Sequence, residues 1–211
     1  MSPAARLAAG LTALGITLDE AAQAALLRLL DELLDWNTRI NLTAIRDRDE
    51  AITRHLLDSL SVQPFLRGPR VADVGTGAGF PGLPLAIANP GWQFTLLESI
   101  GKKARFVEHA VETLGLANVK VVNARAEAWR GEAPYTDVIC RAVADLAGFI
   151  RVAGHLCAPG GRLWAMKGRV PGEEMAALPR GWEAAAVHRL TVPGLQAERH
   201  LIELIRRGRA G

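Results

Sequence analysis

A cluster of glycines after a short β-branched run is the feature of this 211-residue chain with the clearest chemical use. The run covers residues 71–74, and it is followed by Gly75, Gly77, Gly79 and Gly82. Glycine lets a chain turn sharply and lets backbone N–H groups approach a ligand closely. A plain strand-to-helix turn needs only one or two glycines, so this spacing predicts a ligand-binding loop at the end of a strand.

Other polar residues stand just after further β-branched runs. Glu98 follows the run at 94–97, and Arg141 ends the run at 137–141. In a parallel sheet the carboxyl ends of the strands share one edge, and ligands bind there. These two side chains are therefore candidates for the same site as the glycine loop.

From residue 70 onward the runs alternate with helical segments, which predicts a mostly parallel sheet with helices on both faces. Strands are expected at 71–74, 94–97, 119–122, 137–141, 162–166, 184–192 and 199–206, and helices at 81–89, 102–114 and 145–157. The last two strands are separated by a Pro193-Gly194 turn with no helix, so the final strand should run antiparallel to its neighbours. The expected fold is a Rossmann-like α/β fold with seven strands.

The chain is expected to divide into a helical N-terminal extension, residues 1–66, and one compact sheet unit, residues 67–211. Thr17 and Glu20 match a T-x-x-E capping box, which predicts where the second helix begins. A third helix is expected to start near 47–50 and to reach about residue 62, ahead of a proline.

Two classes of nucleotide-binding protein use such a glycine loop. Residues 77–82 match G-x-G-x-x-G, the dinucleotide fingerprint, but that motif alone is weak. Asp73 inside the strand end counts against a dinucleotide enzyme, and so does the C-terminal hairpin. An Asp-x-Gly-x-Gly-x-Gly loop with a terminal hairpin instead resembles the class I S-adenosylmethionine-dependent methyltransferases.

That resemblance implies S-adenosylmethionine as the cofactor. Its sulfonium and methionine end require close backbone approach, and its carboxylate and amine require polar partners near a helix N-terminus. The residues expected to contribute are Asp73, Gly75, Thr76, Gly77 and Gly79.

The nucleoside end of the cofactor requires different groups. Glu98 stands where a carboxylate could bind the ribose diol, although an acid at a helix N-terminus is also favoured by the helix dipole. Ala126 and Glu127 follow the third strand, where an apolar slot and a polar anchor could hold adenine. An exposed Glu127 with no ligand is the alternative.

The residues after the fourth strand bear on the methyl acceptor. The segment 137–143 has neither the Asn/Asp-Pro-Pro-aromatic turn of amine methyltransferases nor the cysteine context of cytosine-C5 enzymes, so Cys140 is interpreted as a small buried hydrophobe. Guanine N7 has a lone pair and no proton, so its methylation needs alignment rather than a base. Arg141, the candidate catalytic residue, could donate to guanine O6, hold a phosphate, or pair with Asp137 or Asp145.

Six short motifs together resemble the bacterial ribosomal small-subunit methyltransferase G (GidB) family over nearly the whole chain. They are Trp36-Asn-x-x-Ile-Asn-Leu-Thr43, Arg54-His-Leu-Leu-Asp-Ser59, residues 73–82, Cys140-Arg-Ala142, Met166-Lys-Gly168 and Glu198-Arg-His-Leu201. The resemblance implies transfer of a methyl group to N7 of a guanine in the decoding-region loop of 16S ribosomal RNA. It also implies cofactor contacts from Gly75, Phe80, Ala126-Glu127 and Arg141. One departure is Cys140, since the family usually has serine there.

Four side chains are candidate RNA contacts: Asn41, Arg54, Lys167 and Arg199. Asn41 and Arg54 belong to or flank a polar, arginine-rich connection that could wall the pocket mouth or form a solvated loop. Lys167 could contact phosphate or only confer solubility. The expected partner is 16S ribosomal RNA or the small ribosomal subunit.

Composition narrows the classes further. No stretch approaches ~20 apolar residues, so a membrane span is not expected, and two distant cysteines give no basis for a metal site. Arginines make up 21 of the 25 basic residues, which suits RNA binding and equally suits a GC-rich genome. The chain is expected to be a cytoplasmic monomer.

Three alternatives remain open. A small-molecule methyltransferase would have a lidded apolar cavity instead of a basic surface, and a non-catalytic ribosome-assembly protein would bind cofactor without transferring methyl. His55, Asp58 and Ser59 sit at helical spacing and suggest a hydrolase triad, but there is no G-x-S-x-G elbow. A capping and interhelical network is the other interpretation of these three residues.

Overall fold

A seven-stranded sheet with the strand order β3-β2-β1-β4-β5-β7-β6 lies at the centre of the molecule. The structure is a computed structural model and describes residues 1–131 and 134–207. The strands are β1 Arg70–Val74, β2 Gln93–Leu97, β3 Val119–Val122, β4 Tyr135–Arg141, β5 Cys157–Lys167, β6 Trp182–Arg189 and β7 His200–Arg206.

The strand directions confirm the predicted mixed sheet. The first five strands pair in parallel, whereas β7 runs antiparallel to both β5 and β6. Pro193-Gly194 forms the predicted turn, with a hydrogen bond from Leu195 N–H to Val192 O at 3.0 Å, but the connection from β6 to β7 is longer than expected because β6 ends at Arg189 and β7 begins at His200. A backbone hydrogen bond from Leu190 N–H to Arg199 O, 2.8 Å, closes that connection at its base.

The helices are α1 Pro3–Leu14, α2 Glu20–Asn37, α3 Arg48–Ala51, α4 Asp58–Leu60, α5 Gly82–Ala88, α6 Gly101–Leu114, α7 Leu146–Ala153 and α8 Gly172–Ala176. The predicted capping box of α2 is wrong. The N-cap is Asp19, whose carboxylate accepts from the backbone N–H of Ala22 at 2.7 Å. The helix predicted at 145–157 is too long, because Cys157 already pairs with Tyr135 in the sheet, and α8 is an addition.

A π-helical segment, Ile52–Leu57, joins α3 to α4 without a break. It is almost wholly buried, and only Arg54 within it is exposed. The wider i→i+5 turn is rare and often marks functional sites. Here it changes the helical phase, so that His55 and Asp58 are both buried.

The N-terminal helices and the sheet share one hydrophobic core. Leu30 of α2 and Leu56 of the π segment belong to the same buried cluster as Phe80, Leu96 and Phe106. The proposed units 1–66 and 67–211 are therefore packed on each other, and residues 208–211 of the second lie outside the described residues. This packing places the π segment beside the carboxyl edge of the sheet.

Candidate active site

The glycine loop leaves β1 and crosses the end of β2. The backbone N–H groups of Gly75 and Thr76 donate to Leu97 O at 2.9 and 3.0 Å. Gly75 and Gly77 have φ values of 68° and 63°, which L side chains rarely adopt. A Cβ built on either would meet nothing within 4 Å, so the backbone here faces open space that a ligand could fill.

The other two glycines of the loop, Gly79 and Gly82, are required by packing within the protein. A Cβ at Gly79, where φ is 88°, would run into the side chain of Leu83, and a Cβ at Gly82 would run into Leu96 and Asp73. Close packing therefore requires glycine at both positions. Gly79, predicted to approach the cofactor, is buried and packs inside the loop.

Asp73 fixes the conformation of the loop through two hydrogen bonds. Its Oδ2 accepts from the Thr76 hydroxyl at 2.6 Å and from Gly82 N–H at 2.8 Å. The residue is fully buried, and this burial raises the pKa of its carboxyl to about 6. Its Oδ1 is buried with no protein partner among the described residues. Asp73 and Thr76 therefore act on the loop with their side chains, and Oδ1 of Asp73 keeps an unused acceptor.

Glu98 lies at the end of β2, where the sequence placed it, and contacts the loop directly. Its Oε2 accepts from Gly77 N–H at 2.9 Å, and its Oε1 accepts from Ile100 N–H at 2.8 Å. Ile100 is the N-cap of α6, so one oxygen serves the helix terminus and the other the loop. Glu98 is therefore a helix-terminal acid that also holds the backbone of the glycine loop, and its contact with the ribose stays a prediction.

Ala126 and Glu127 lie in a 3-10 turn, Ala126–Ala128, after β3. Ala126 is buried in the apolar cluster that contains Val74 and Leu97, the last residues of β1 and β2. Glu127 is 48% exposed in its side chain and lies 3.7 Å from Arg125. Ala126 is therefore part of the core, and Glu127 is half exposed beside Arg125, so the adenine contact of both residues stays a prediction.

A cavity of about 390 Å³ opens beside the loop, where β4 and β5 end. Ten residues line it: Ile45, Arg54, His55, Asp58, Arg141, Ala142, Met166, Lys167, Gly168 and Arg199. Three of the four predicted RNA contacts are among them. Asn41, the fourth, is exposed and does not line this cavity.

Arg141 lies between the loop and the cavity. Its guanidinium carbon is 5.5 Å from the ring centroid of Phe80, and Nη1 donates to Arg54 O at 3.2 Å. The acid beside it is Asp58, 3.6 Å away, and not Asp137 or Asp145. Those two are occupied elsewhere, since Asp137 accepts from Trp164 and Asp145 caps α7.

Phe80 is the residue of the glycine loop that contacts the cavity residues Arg141 and His55. It is buried and stacks on the imidazole of His55, with centroids 4.7 Å apart and planes inclined by 24°. Burial, together with the charges of Arg141 and Arg54, lowers the pKa of His55 to about 3. The ring is therefore neutral at physiological pH. The cofactor contact that the family resemblance implies for Phe80 stays a prediction.

The cations of the cavity are held by carboxylates. Arg54 pairs with Glu50 at 3.0 Å. Lys167 donates to both oxygens of Glu174 at 3.0 Å and to Val143 O and Ala144 O, so its ammonium is engaged with the protein.

Cys140 is half-buried, and burial raises the pKa of its thiol to about 12. A thiol with that pKa stays protonated at neutral pH, which supports the interpretation of Cys140 as a small hydrophobe rather than a nucleophile. Its Sγ lies 3.5 Å from Arg141 O.

Metal-ligand clusters and membrane-spanning helices are both absent from the part of the chain that the structure describes. Within 1–131 and 134–207, His, Cys, Asp and Glu form no group of three or more suited to a metal ion. In the same ranges, every helix is too short or too polar to cross a bilayer.

Comparison with known proteins assigns the chain to a family. The family model described as rRNA small subunit methyltransferase G matches residues 22–202. The chain belongs to this family. Curated relatives named ribosomal RNA small subunit methyltransferase G include one from Stenotrophomonas maltophilia (strain K279a), 55% identical over 95% of this chain and 94% of the relative. Another, from Xanthomonas axonopodis pv. citri (strain 306), is 54% identical over 91% and 90%.

Solved structures agree on the fold. A glycopeptide N-methyltransferase, MtfA, has a TM-score of 0.62 at 12% identity over 72% of this chain and 87% of that one. A methyltransferase from Geobacter sulfurreducens, solved with S-adenosyl-L-homocysteine, has a TM-score of 0.53 at 15% identity over 72% and 90%. This member of the methyltransferase G family therefore has the class I methyltransferase fold that its sequence predicted.

The hydrolase interpretation of His55, Asp58 and Ser59 is wrong, because the three side chains do not contact one another as a triad, and the network interpretation agrees with the contacts of His55 and Asp58 but not of Ser59. His55 Nε2 lies 3.0 Å from the Thr43 hydroxyl, and Asp58 accepts from Arg199 Nε at 2.9 Å. Ser59 Oγ is buried without a partner in the described residues. The role of Asp58 as the acid shared by two arginines was missed, because its partners lie 83 and 141 residues away along the chain.

Proposed function

We propose that this protein transfers a methyl group from S-adenosylmethionine to N7 of a guanine in the decoding-region loop of 16S ribosomal RNA. Membership of the methyltransferase G family supports small-subunit ribosomal RNA as the substrate. The cavity at the end of β4 and β5 supports N7 as the acceptor atom.

The observation that supports guanine N7 as the acceptor is the lack of a usable base among the described cavity residues. His55 has a pKa of about 3, Asp58 contacts two guanidiniums, and the other ionisable groups of the cavity are cations. An exocyclic amine or a hydroxyl must lose a proton when it is methylated, whereas guanine N7 carries none. A site that aligns the acceptor without removing a proton therefore fits N7.

The described residues fit S-adenosylmethionine as cofactor. Gly75 and Gly77 leave open space over the backbone, and the unpartnered Oδ1 of Asp73 can accept a hydrogen bond. Glu98 stands at the end of β2 and accepts a hydrogen bond from Gly77 N–H beside that opening. When bound, the cofactor supplies a methyl group on a positively charged sulfur. The protein's own part is to hold the acceptor in line with that group.

The substrate partner follows from the same surface. Five of the ten residues that line the cavity are charged, and three of these are arginines, which suits the phosphates of an RNA. We propose that the partner is 16S ribosomal RNA or the small subunit, and that the protein is a cytoplasmic monomer that needs no metal.

The test is to look for one missing 7-methylguanosine. Small ribosomal subunits from cells lacking the protein are incubated with the purified protein and methyl-labelled S-adenosylmethionine, and the nuclease digest of 16S RNA is analysed by mass spectrometry. We expect label in one 7-methylguanosine of the decoding-region loop. Label in a small molecule, or at an exocyclic amine, would contradict the proposal, and cofactor binding with no transfer would favour the assembly-protein alternative.

A further inference from the structure

Two arginines of the cavity share one buried carboxylate. Asp58 is 2% exposed; its Oδ1 accepts from Arg199 Nε at 2.9 Å, and its Oδ2 lies 3.6 Å from Arg141 Nη1. The three residues come from α4, from the end of β4 and from the residue preceding β7. The fold thus brings three distant segments together at one charged group.

The remaining cations of the cavity have acids of their own. Arg54 pairs with Glu50, and Lys167 pairs with Glu174. His55 contributes no charge, because its pKa is about 3. Among the described lining residues, the two guanidiniums at Asp58 therefore carry one positive charge more than their carboxylate balances.

Both guanidiniums keep donors for a ligand. The side chains of Arg141 and Arg199 are 25% and 24% exposed. Their hydrogen bonds within the protein use Nη1 of Arg141 and Nε and Nη1 of Arg199, while each guanidinium has five N–H donors. Guanidinium forks match phosphate oxygens, which accept two parallel hydrogen bonds.

We propose that Arg141 and Arg199 bind one phosphodiester of the substrate RNA in this cavity, and that Asp58 is the positioning residue that sets the two guanidiniums at it. The carboxylate of Asp73 also acts on Arg141, from the side of the glycine loop, so the charge count alone does not choose the ligand. A phosphodiester has two anionic oxygens that can accept from both guanidiniums at once, whereas the O6 and N7 edge of a guanine matches a single guanidinium fork. This inference rests on the proposed RNA substrate and names the part of the RNA that the cavity holds.

The first test measures salt dependence of binding. The affinity of Arg199→Ala for a fluorescently labelled RNA fragment carrying the substrate loop is measured by anisotropy at several salt concentrations. The same is done for a fragment with the target guanine replaced by adenine. Loss of one phosphate contact should weaken the binding of both fragments equally. It should also make the negative slope of log affinity against log salt shallower by about 1.

The matched control is Arg207→Ala, which removes an exposed arginine paired with Glu183, outside the cavity. We expect a salt slope closer to wild type. If Arg199→Ala weakens only the guanine-bearing fragment and leaves the slope unchanged, Arg199 reads a base and the proposal is wrong.

The second test separates positioning from binding. Asp58→Asn keeps the shape and one acceptor oxygen but frees both guanidiniums from the shared charge. We expect kcat for methyl transfer to fall about tenfold or more, with KM for the small subunit unchanged or lower because the cavity gains positive charge. Asp35→Asn makes the same change in net charge on the exposed face of α2, beside Arg39, and should leave kcat unchanged.

Unchanged kcat in folded Asp58→Asn would overturn the positioning role, and a higher KM with unchanged kcat would do the same. Thermal unfolding of Asp58→Asn shows whether the protein remains folded, and Arg199→Ala tests the phosphate site independently if it does not. Failure of the proposed function looks different, since wild-type protein would then place no methyl group on the RNA.

Discussion

The glycine loop and the cavity beside it are built in opposite ways. The loop, residues 73–82, offers mainly its backbone: Gly75 and Gly77 face open space, and the side chains of Asp73 and Thr76 turn inward to hold the loop. The cavity offers side chains, and these come from the helical extension, from β4 and β5 and from the segment before β7. The first site should therefore be damaged by adding atoms and the second by removing them.

Adding a side chain to the loop should have the largest effect. Gly77→Asp places atoms in the open space over the backbone and a second carboxylate next to Glu98, so we expect cofactor binding to be abolished. The left-handed φ of 63° adds a stability cost of about 1–2 kcal/mol, which leaves the protein folded. Isothermal calorimetry with S-adenosylmethionine measures the first effect and thermal unfolding the second.

The control for this substitution is Gly160→Asp. Gly160 is exposed, has a φ of 76° and also has open space at its Cβ position, but lies near the opposite end of β5. It should show the same stability cost with cofactor affinity intact. An unchanged affinity in Gly77→Asp would mean that the loop opening is not the cofactor site.

Removing a side chain from the cavity should have the next largest effect. Arg141→Ala loses the guanidinium between Phe80 and Asp58, and we expect kcat to fall roughly 100-fold, as for the loss of one aligned donor elsewhere. Cofactor affinity should change less than kcat, because the loop keeps its shape. Single-turnover methylation of small subunits measures the rate, and turnover at the wild-type level would reduce Arg141 to a structural role.

Glu98 combines the two kinds of site, because its side chain holds the backbone of the glycine loop. Glu98→Ala removes the acceptor of Gly77 N–H and the carboxylate proposed for the ribose, so affinity for S-adenosylmethionine should fall several-fold. Glu98→Gln keeps the size of the side chain and one acceptor oxygen, and should lose less affinity. Equal dissociation constants in wild type and Glu98→Ala, measured by calorimetry, would exclude the ribose role.

The same contrast explains how much the sequence could predict. The loop lies within ten residues, so glycine spacing, Asp73 and the strand before them were enough to locate it, and the mostly parallel sheet was predicted from the alternating pattern. The cavity joins Asp58 to Arg141 and Arg199 across most of the chain, and residue spacing carries no sign of such a pairing. The motif containing His55 and Asp58 was visible, but its partners depend on the π turn and on packing between layers.

Local signals also failed where two capping residues compete within one turn. Thr17 and Asp19 both precede α2, and Asp19 is the residue that binds the helix N-terminus. Asn41 lies in an arginine-rich connection, yet its side chain is exposed while Asn37 binds the same connection from within. Which of two neighbouring polar residues turns inward depends on the packing of the whole connection.

The pH dependence of stability should distinguish the two sites by sign. Asp73 has a folded-state pKa of about 6, above its ordinary value of 3.8. The folded protein therefore binds the proton more tightly, and this group's stabilising contribution is lost as the pH rises from about 4 to 6. In Asp73→Asn this group does not titrate, so the variant does not lose that contribution as the pH rises. The free energy of unfolding of wild type minus that of Asp73→Asn should fall across this range in urea titrations.

His55 in the cavity should give the opposite slope. Its folded-state pKa of about 3 lies below the ordinary 6.5, so the unfolded chain takes up the proton first. Its contribution is present above pH 6.5 and declines as the pH falls toward 3. The free energy of unfolding of wild type minus that of His55→Gln should therefore rise between pH 4 and 6, where the Asp73 difference falls. If the His55 difference instead falls over this range, the cavity does not hold His55 neutral. The effect of burial and of Arg141 and Arg54 on its pKa would then be smaller than the geometry indicates.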